Sequence, residues 1–191
     1  MRRVHLVATV CLVAALPLSA FAAKKPLHDI SLVWKPVKSL AKVGAVDLTG
    51  MTSLALRVQP LTDARKDATR IGENREDENE HKILTVTTRD DVPKFCTEHL
   101  ETVLGDLGLN TGQTTDGLSL AGEVIQFFVT ERNTYVGDVR LKLRLVRPNG
   151  DVLWTGLVAG SEEHWGRSYK AENYHETLSD SLVVAAFNLL K

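Results

Sequence analysis

The chain has 191 residues, with 23 Lys and Arg against 24 Asp and Glu, two cysteines and 43% apolar residues. That length suits one domain, with or without an appendage, and can bury a sizeable core. The near-neutral charge argues against a nucleic-acid partner, and the low aromatic content with ordinary Gly and Pro usage excludes collagenous, low-complexity and disulfide-scaffold classes.

Residues 1–22 read as a secretory signal peptide. Arg2 and Arg3 form the positive start, residues 4–18 an apolar run, and Ala20-Phe21-Ala22 places small residues where a signal peptidase needs them. The run is too short for a spanning helix, and no later stretch reaches the roughly 18 apolar residues a span requires. The expected mature chain is 23–191, periplasmic or secreted, with outer-membrane association as a further option. Cys11 leaves lipidation as an alternative, but Val10 stands where lipid attachment needs a small residue. Without Cys11, Cys96 is alone and no internal disulfide can form; it falls on an apolar helical stripe and reads as a small buried hydrophobe. Without Arg2 and Arg3 the balance is 21 basic to 24 acidic residues, net −3.

Residues 23–50 form an N-terminal extension, with a short strand expected over 29–35, Trp34 as its anchor and Pro36 as its end. Residues 53–58 alternate as a half-buried strand. From 61 to 82 charges crowd a stretch with few apolar residues, which reads as a solvated loop able to order around a partner. Another short strand follows over 84–88. A helix over 92–107 has Asp90 and Asp91 for its N-cap, Pro93 in its first turn and Gly108 past its end. Its apolar stripe runs through Val92, Cys96, His99 or Leu100, and Val103 or Leu104 to Leu107.

Residues 118–130 read as a long central strand with Gly122 as a candidate bulge. Residues 138–160 read as a hairpin about a type I′ Asn149-Gly150 turn, pairing Leu145 with Trp154 and Leu141 with Val158. Arg140, Lys142 and Arg144 then form a row on the opposite face. That row suits a phospholipid head, but a wet strand face needs the same residues, and the second reading is preferred. The last helix spans 173–190, with Asn173 and Glu176 as a capping box. The order strand, helix, three strands, helix gives an α+β fold: one domain over 51–191, a mainly antiparallel sheet and two helices on one face.

No reaction is legible. His28, His81, His99, His164 and His175 share no ligand spacing, and His175-Glu176 lacks a second histidine at Ser179. There is no nucleophile elbow and no phosphate-cradling glycine loop. No catalytic residue, metal or cofactor is therefore expected, and the protein reads as non-enzymatic. The stretch 160–174 stands out because it gathers Trp165, Tyr169 and Tyr174 with Arg167 and Lys170, the composition of an interface hot spot. The competing reading is that these aromatics pin the loop over the core.

Asp63-Ala-Arg65, Arg70-Ile-Gly72, the run from Arg147 to Trp154, the run from Gly166 to Tyr174, and Leu178-Ser-Asp-Ser-Leu182 resemble the YajG-like family of uncharacterised bacterial envelope lipoproteins. The resemblance spans roughly 33–190 and lies in pattern and order. It implies an envelope protein without known catalysis, with a plan similar to that of auxiliary lipoproteins of transporters, and it transfers no catalytic residues. Those relatives carry a lipid-modified cysteine that this chain lacks in proper context. The expected function is a non-enzymatic accessory or binding protein that contacts an envelope protein partner through Asp63, Arg65, Trp165, Arg167 and Tyr169. The alternative is a lipid or glycolipid carrier using the apolar side of the sheet. A hydrolase is a third reading and would need a concave pocket with perturbed titratable groups.

Overall fold

The computed structural model describes residues 26–44, 47–50, 53–75, 83–112, 116–166 and 168–191. The signal peptide, Cys11, His81 and Arg167 lie outside them. In chain order the elements are α1 (Leu40–Val43), β1 (Ala55–Val58), β2 (Thr62–Asp63), β3 (Arg70–Asn74), β4 (Leu84–Thr87), α2 (Val92–Asp106), β5 (Asn110–Thr111), β6 (Leu118–Glu131), β7 (Thr134–Val146), β8 (Val152–Gly160), β9 (Glu163–Trp165) and α3 (Ala171–Leu189).

The fold is α+β, built on the antiparallel pair β6–β7, which holds register from Ser119↔Val146 to Glu131↔Tyr135. Along the other side of β6 lie β1, β2 and β3 in succession, all parallel to it. The sheet is therefore mixed, not mainly antiparallel. Outside β1 lies β5, and outside β3 lies β4. The free side of β7 takes β8 and then β9, with the expected pairs Leu145↔Trp154 and Leu141↔Val158.

The parallel part corrects the charged-loop reading of 61–82 over 61–75; residues 76–82 lie outside the described residues. Residues 62–63 and 70–74 are strands, and Ile71, Gly72, Glu73 and Asn74 are buried. Charge misleads here because Glu73 goes inside with two guanidinium partners, Arg70 and Arg75. Two smaller expectations also change. The bulge in β6 falls between Val124 and Gln126 rather than at Gly122. At the hairpin tip Gly150 donates to Arg147 O and only Gly150 is left-handed (φ +92°), which fits a type I turn closed by a glycine bulge and not a type I′ turn. Pro148, with its ring-fixed φ, favours that turn at its second position.

The two long helices, α2 and α3, cover one face of the sheet. From α2, Phe95 meets Phe127 of β6 edge to face at 5.8 Å, and α3 crosses β7 and β8 at two glycines. A Cβ on Gly160 would stand 2.0 Å from Ser181 O, and one on Gly137 2.2 Å from Ser181 Oγ. The α2 cap forms as expected, with Asp91 accepting from Lys94 N at 2.9 Å. The capping box of α3 does not: the helix starts at Ala171, and Asn173 donates to Ser168 Oγ from inside its first turn.

The segment 26–38 is a strap rather than a strand. It makes a single bridge, Leu27 to Val86, with Ile30 N on Thr87 O, and then spends most of its amides on side chains. Leu32 N donates to Asp90, Lys35 N to Ser179 Oγ, and Val37 N and Lys38 N to Asp180 Oδ1 at 3.0 and 3.1 Å. Trp34 anchors it by stacking on the His99 ring at 4.2 Å and 7°. Burial holds the His99 pKa below its ordinary value, against a smaller opposing pull from Glu98. The unfolded chain thus takes up a proton more readily than the folded one, so stability is full above about pH 6.5 and declines as pH falls through the folded pKa. Urea midpoints should drop on acidification through this window. His99→Phe, which keeps a ring under Trp34, should show a shallower drop; an unchanged slope would clear His99 of the effect.

Candidate functional site

Of the five residues singled out by sequence, the four that are described do not gather. Asp63 and Arg65 form a bidentate pair, Nε to Oδ1 at 2.9 Å and Nη2 to Oδ2 at 2.7 Å, and Arg65 also donates to Ala68 O. The bond from Arg65 holds the Asp63 carboxyl below its usual range. The Arg65 side chain is only 5% exposed, so the pair braces the corner between β2 and β3 from within. Trp165 lies on β9 at the opposite side of the sheet and is 90% exposed. Arg167 lies outside the described residues.

Tyr169 is corrected outright: it is a core residue. Its backbone is left-handed (φ +47°), its amide donates to Glu131 Oε1 at 2.9 Å, and its hydroxyl accepts from Leu27 N. The hydroxyls of Tyr135 and Tyr174 donate to the two oxygens of the same carboxylate, at 2.7 and 2.8 Å. Glu131 is fully buried inside this cage. Burial, then the Glu131 charge, pushes the Tyr174 hydroxyl pKa far upward, so it stays a donor. The loop 160–174 is therefore pinned through Tyr169 and Tyr174, while Trp165 points away.

Two further concavities are lined by charged side chains, one by Arg65, Lys66, Asp67 and Arg70 and one by Asp63, Arg89, Asp90 and Asp91. Cys96 is fully buried, and burial pushes its thiol pKa up, which opposes thiolate chemistry. Among the described residues no His, Cys, Asp and Glu cluster could hold a metal ion. On the uncovered sheet face the cation row is partly paired, with Arg140 Nε on Asp138 at 2.8 Å and Lys142 facing Glu123 across the ladder.

A concavity that sequence reading missed lies at the end of the helix-covered face. It is a groove of about 340 Å³ lined by leucines from β1, β6, β7 and α3, with Trp154 of β8 on its wall and Lys191 the only ionisable side chain. Leu54 and Trp154 are 48% and 40% exposed in it. Each leucine belongs to an ordinary strand or helix stripe, and only the tertiary fold unites them. Such a site is apolar, concave and preformed, as small-molecule sites usually are.

No family model and no curated protein matches this sequence. The fold does occur among solved structures. Protein XCC0632 from Xanthomonas campestris, of the family model DUF330, superposes with a TM-score of 0.55 at 12% identity, over 76% of this chain and 88% of that one. An uncharacterized protein gives 0.50 at 11%, over 86% and 95%. A candidate lipoprotein from Caulobacter crescentus CB15 gives 0.47 at 12%, over 79% and 92%. At these identities the likeness is one of fold: a single mixed sheet carrying two helices on one face. Among the described residues no helix is long and apolar enough to cross a membrane.

The Glu131 cage generates a stability prediction. Tyr174→Phe keeps the ring and deletes one of three donors to a buried carboxylate, which should cost about 1.5–3 kcal/mol. Chemical denaturation measures this, and a change within error would mean that the cage does not bear on stability.

Proposed function

We propose that this is an exported, non-enzymatic accessory protein of the bacterial envelope that works by binding, and that its ligand is a hydrocarbon chain held in the Leu54–Trp154 groove. The observation that carries this reading is the composition of the groove wall, nine apolar residues and Lys191. A wall of eight leucines and a tryptophan, with Lys191 beside them, rewards hydrocarbon burial, at about 25 cal/mol per Å² of apolar surface removed from water. The signal-peptide pattern, the YajG-like motifs and the candidate-lipoprotein neighbour support the envelope assignment. A groove of this size suits one acyl chain rather than a whole diacyl lipid, so the reading is of a lipid-binding auxiliary.

Dansyl-undecanoic acid provides the test. It should bind the full-length protein with enhanced fluorescence, and Leu54→Glu, which puts a carboxylate into the groove from a half-exposed position, should weaken binding at least about tenfold, or 1.4 kcal/mol. Binding that survives Leu54→Glu undiminished, or no binding at all, removes the groove from consideration.

A second reading rests on Trp165. A tryptophan exposed to 90% beside a pinned loop has the character of a partner hot spot. Trp165→Ala should abolish capture of an envelope protein by in vivo crosslinking while leaving thermal unfolding unchanged. Equal capture by the variant would retire this surface.

A further inference from the structure

The two margins of the sheet are treated differently by the sequence. At the β4 margin the strap lies alongside: Thr87 N donates to Leu27 O, and Ile30 N to Thr87 O. That edge is covered. At the other margin β8 pairs only with β7, leaving nine residues, Val-Leu-Trp-Thr-Gly-Leu-Val-Ala-Gly, on a free edge. Exposed edges are normally blunted by charge, proline or a covering segment, because their unpaired amides and carbonyls invite another strand. Here there is no charged residue and no proline. A bulge at Leu153 interrupts one end of the strand and Asn188 Nδ2 caps Ala159 O at 2.9 Å at the other, which leaves Trp154 to Val158 as the regular open stretch. Apolar side chains are exposed on both faces of the same strand. Trp154 is 40% exposed on the helix side and Leu157 63% on the open side, with Val152, paired to Val146 beyond a bulge, 55% exposed.

We propose that β8 is a self-pairing edge: two copies of this chain join β8 to β8, antiparallel, about a two-fold axis through Gly156. Centring on Gly156 is the register that pairs the regular stretch from Trp154 to Val158, setting Trp154 opposite Val158 and Thr155 opposite Leu157. The exposed Trp154 and Leu157 of that stretch then meet Val158 and Thr155 across the ladder.

The electrostatics fit a second copy. An uncharged strand can be set against itself with no like charges opposed. The cation rows of the two β7 strands end up three strand spacings apart, roughly 14 Å, beyond the screening length of about 8–10 Å at physiological salt. At each end of the pairing the tip of one hairpin, with Arg147 more than half exposed, reaches the end of the other copy where Glu163 and Trp165 are exposed. That juxtaposition offers an ion pair and a cation–π contact, twice by symmetry.

Sedimentation velocity of the full-length protein over a concentration series tests this, with amide hydrogen exchange as the second measurement. The wild type should pass from one to two chain masses as concentration rises, and the amides of 152–160 should exchange more slowly in the dimer. Leu157→Lys, a change on the open face and away from the groove, should hold the protein at one chain mass with an unchanged unfolding midpoint. Leu54→Glu should still dimerise, which separates this inference from the acyl-chain reading. A wild type that stays monomeric throughout, a Leu157→Lys protein that associates equally well, or association without slower exchange in β8 would each overturn strand pairing.

Discussion

The structure depends on one buried charge. An uncompensated carboxylate in a protein interior costs several kcal/mol, so Glu131 is tolerable only because the fold surrounds it with donors. Those donors come from separate elements: Tyr135 at the start of β7, Tyr169 in the loop, and Tyr174 in the first turn of α3. The Tyr135 and Tyr174 rings also meet edge to face at 5.3 Å. A left-handed tyrosine carries a backbone cost on the order of 1–3 kcal/mol, and it persists where the surroundings over-determine it. Tyr169 is over-determined. Its amide is held by Glu131, and its hydroxyl ties the strap at Leu27 to β4 at Thr85. One carboxylate thus joins the hinge of the sheet spine, the last helix and the N-terminal strap.

A second buried acid plays the matching role halfway along α3. Asp180 is fully buried, accepts from the amides of Val37 and Lys38, and has His164 Nε2 of β9 at 2.9 Å from its other oxygen. Its neighbours do related work, Ser179 Oγ accepting from Lys35 N and Ser181 Oγ from Glu162 N. A helix with buried residues nearly all round is a core helix. The polar part of α3 is inside because it satisfies chain segments that have no ladder of their own.

These contacts explain what the sequence made legible and what it hid. Periodicity found α2, α3 and the β7–β8 hairpin, because each buries a face against a regular partner. It failed for β2 and β3, where Arg70, Glu73 and Arg75 resemble solvent-facing charges and instead neutralise one another in place. It failed for the strap, whose partners are side chains on α3 more than 140 residues away in sequence. The start of α3 was misplaced because the loop before it obeys Glu131 rather than a local capping box. No local pattern could assemble the groove, since its leucines come from segments that meet only after folding.

The motifs that carry the YajG-like resemblance have a consistent structural meaning. Asp63 and Arg65 brace a corner, and Gly72 admits the Tyr174 ring where a Cβ would stand 2.7 Å from it. Gly166 packs on Tyr135, Tyr169 and Tyr174 cage Glu131, and Ser179 to Ser181 secure the strap and the β9 loop. Several of the recognisable residues thus serve the burial of two carboxylates, a task that belongs to the fold and not to a ligand, while Arg147 to Trp154 forms the β7–β8 turn and reaches the groove at Trp154. The exposed apolar side chains Leu54, Leu157 and Trp165 fall outside the motifs. Leu157 sits mid-strand on β8, and Trp165 on β9, where His164 faces Asp180 of α3, so both present apolar surface from strands rather than from a loop.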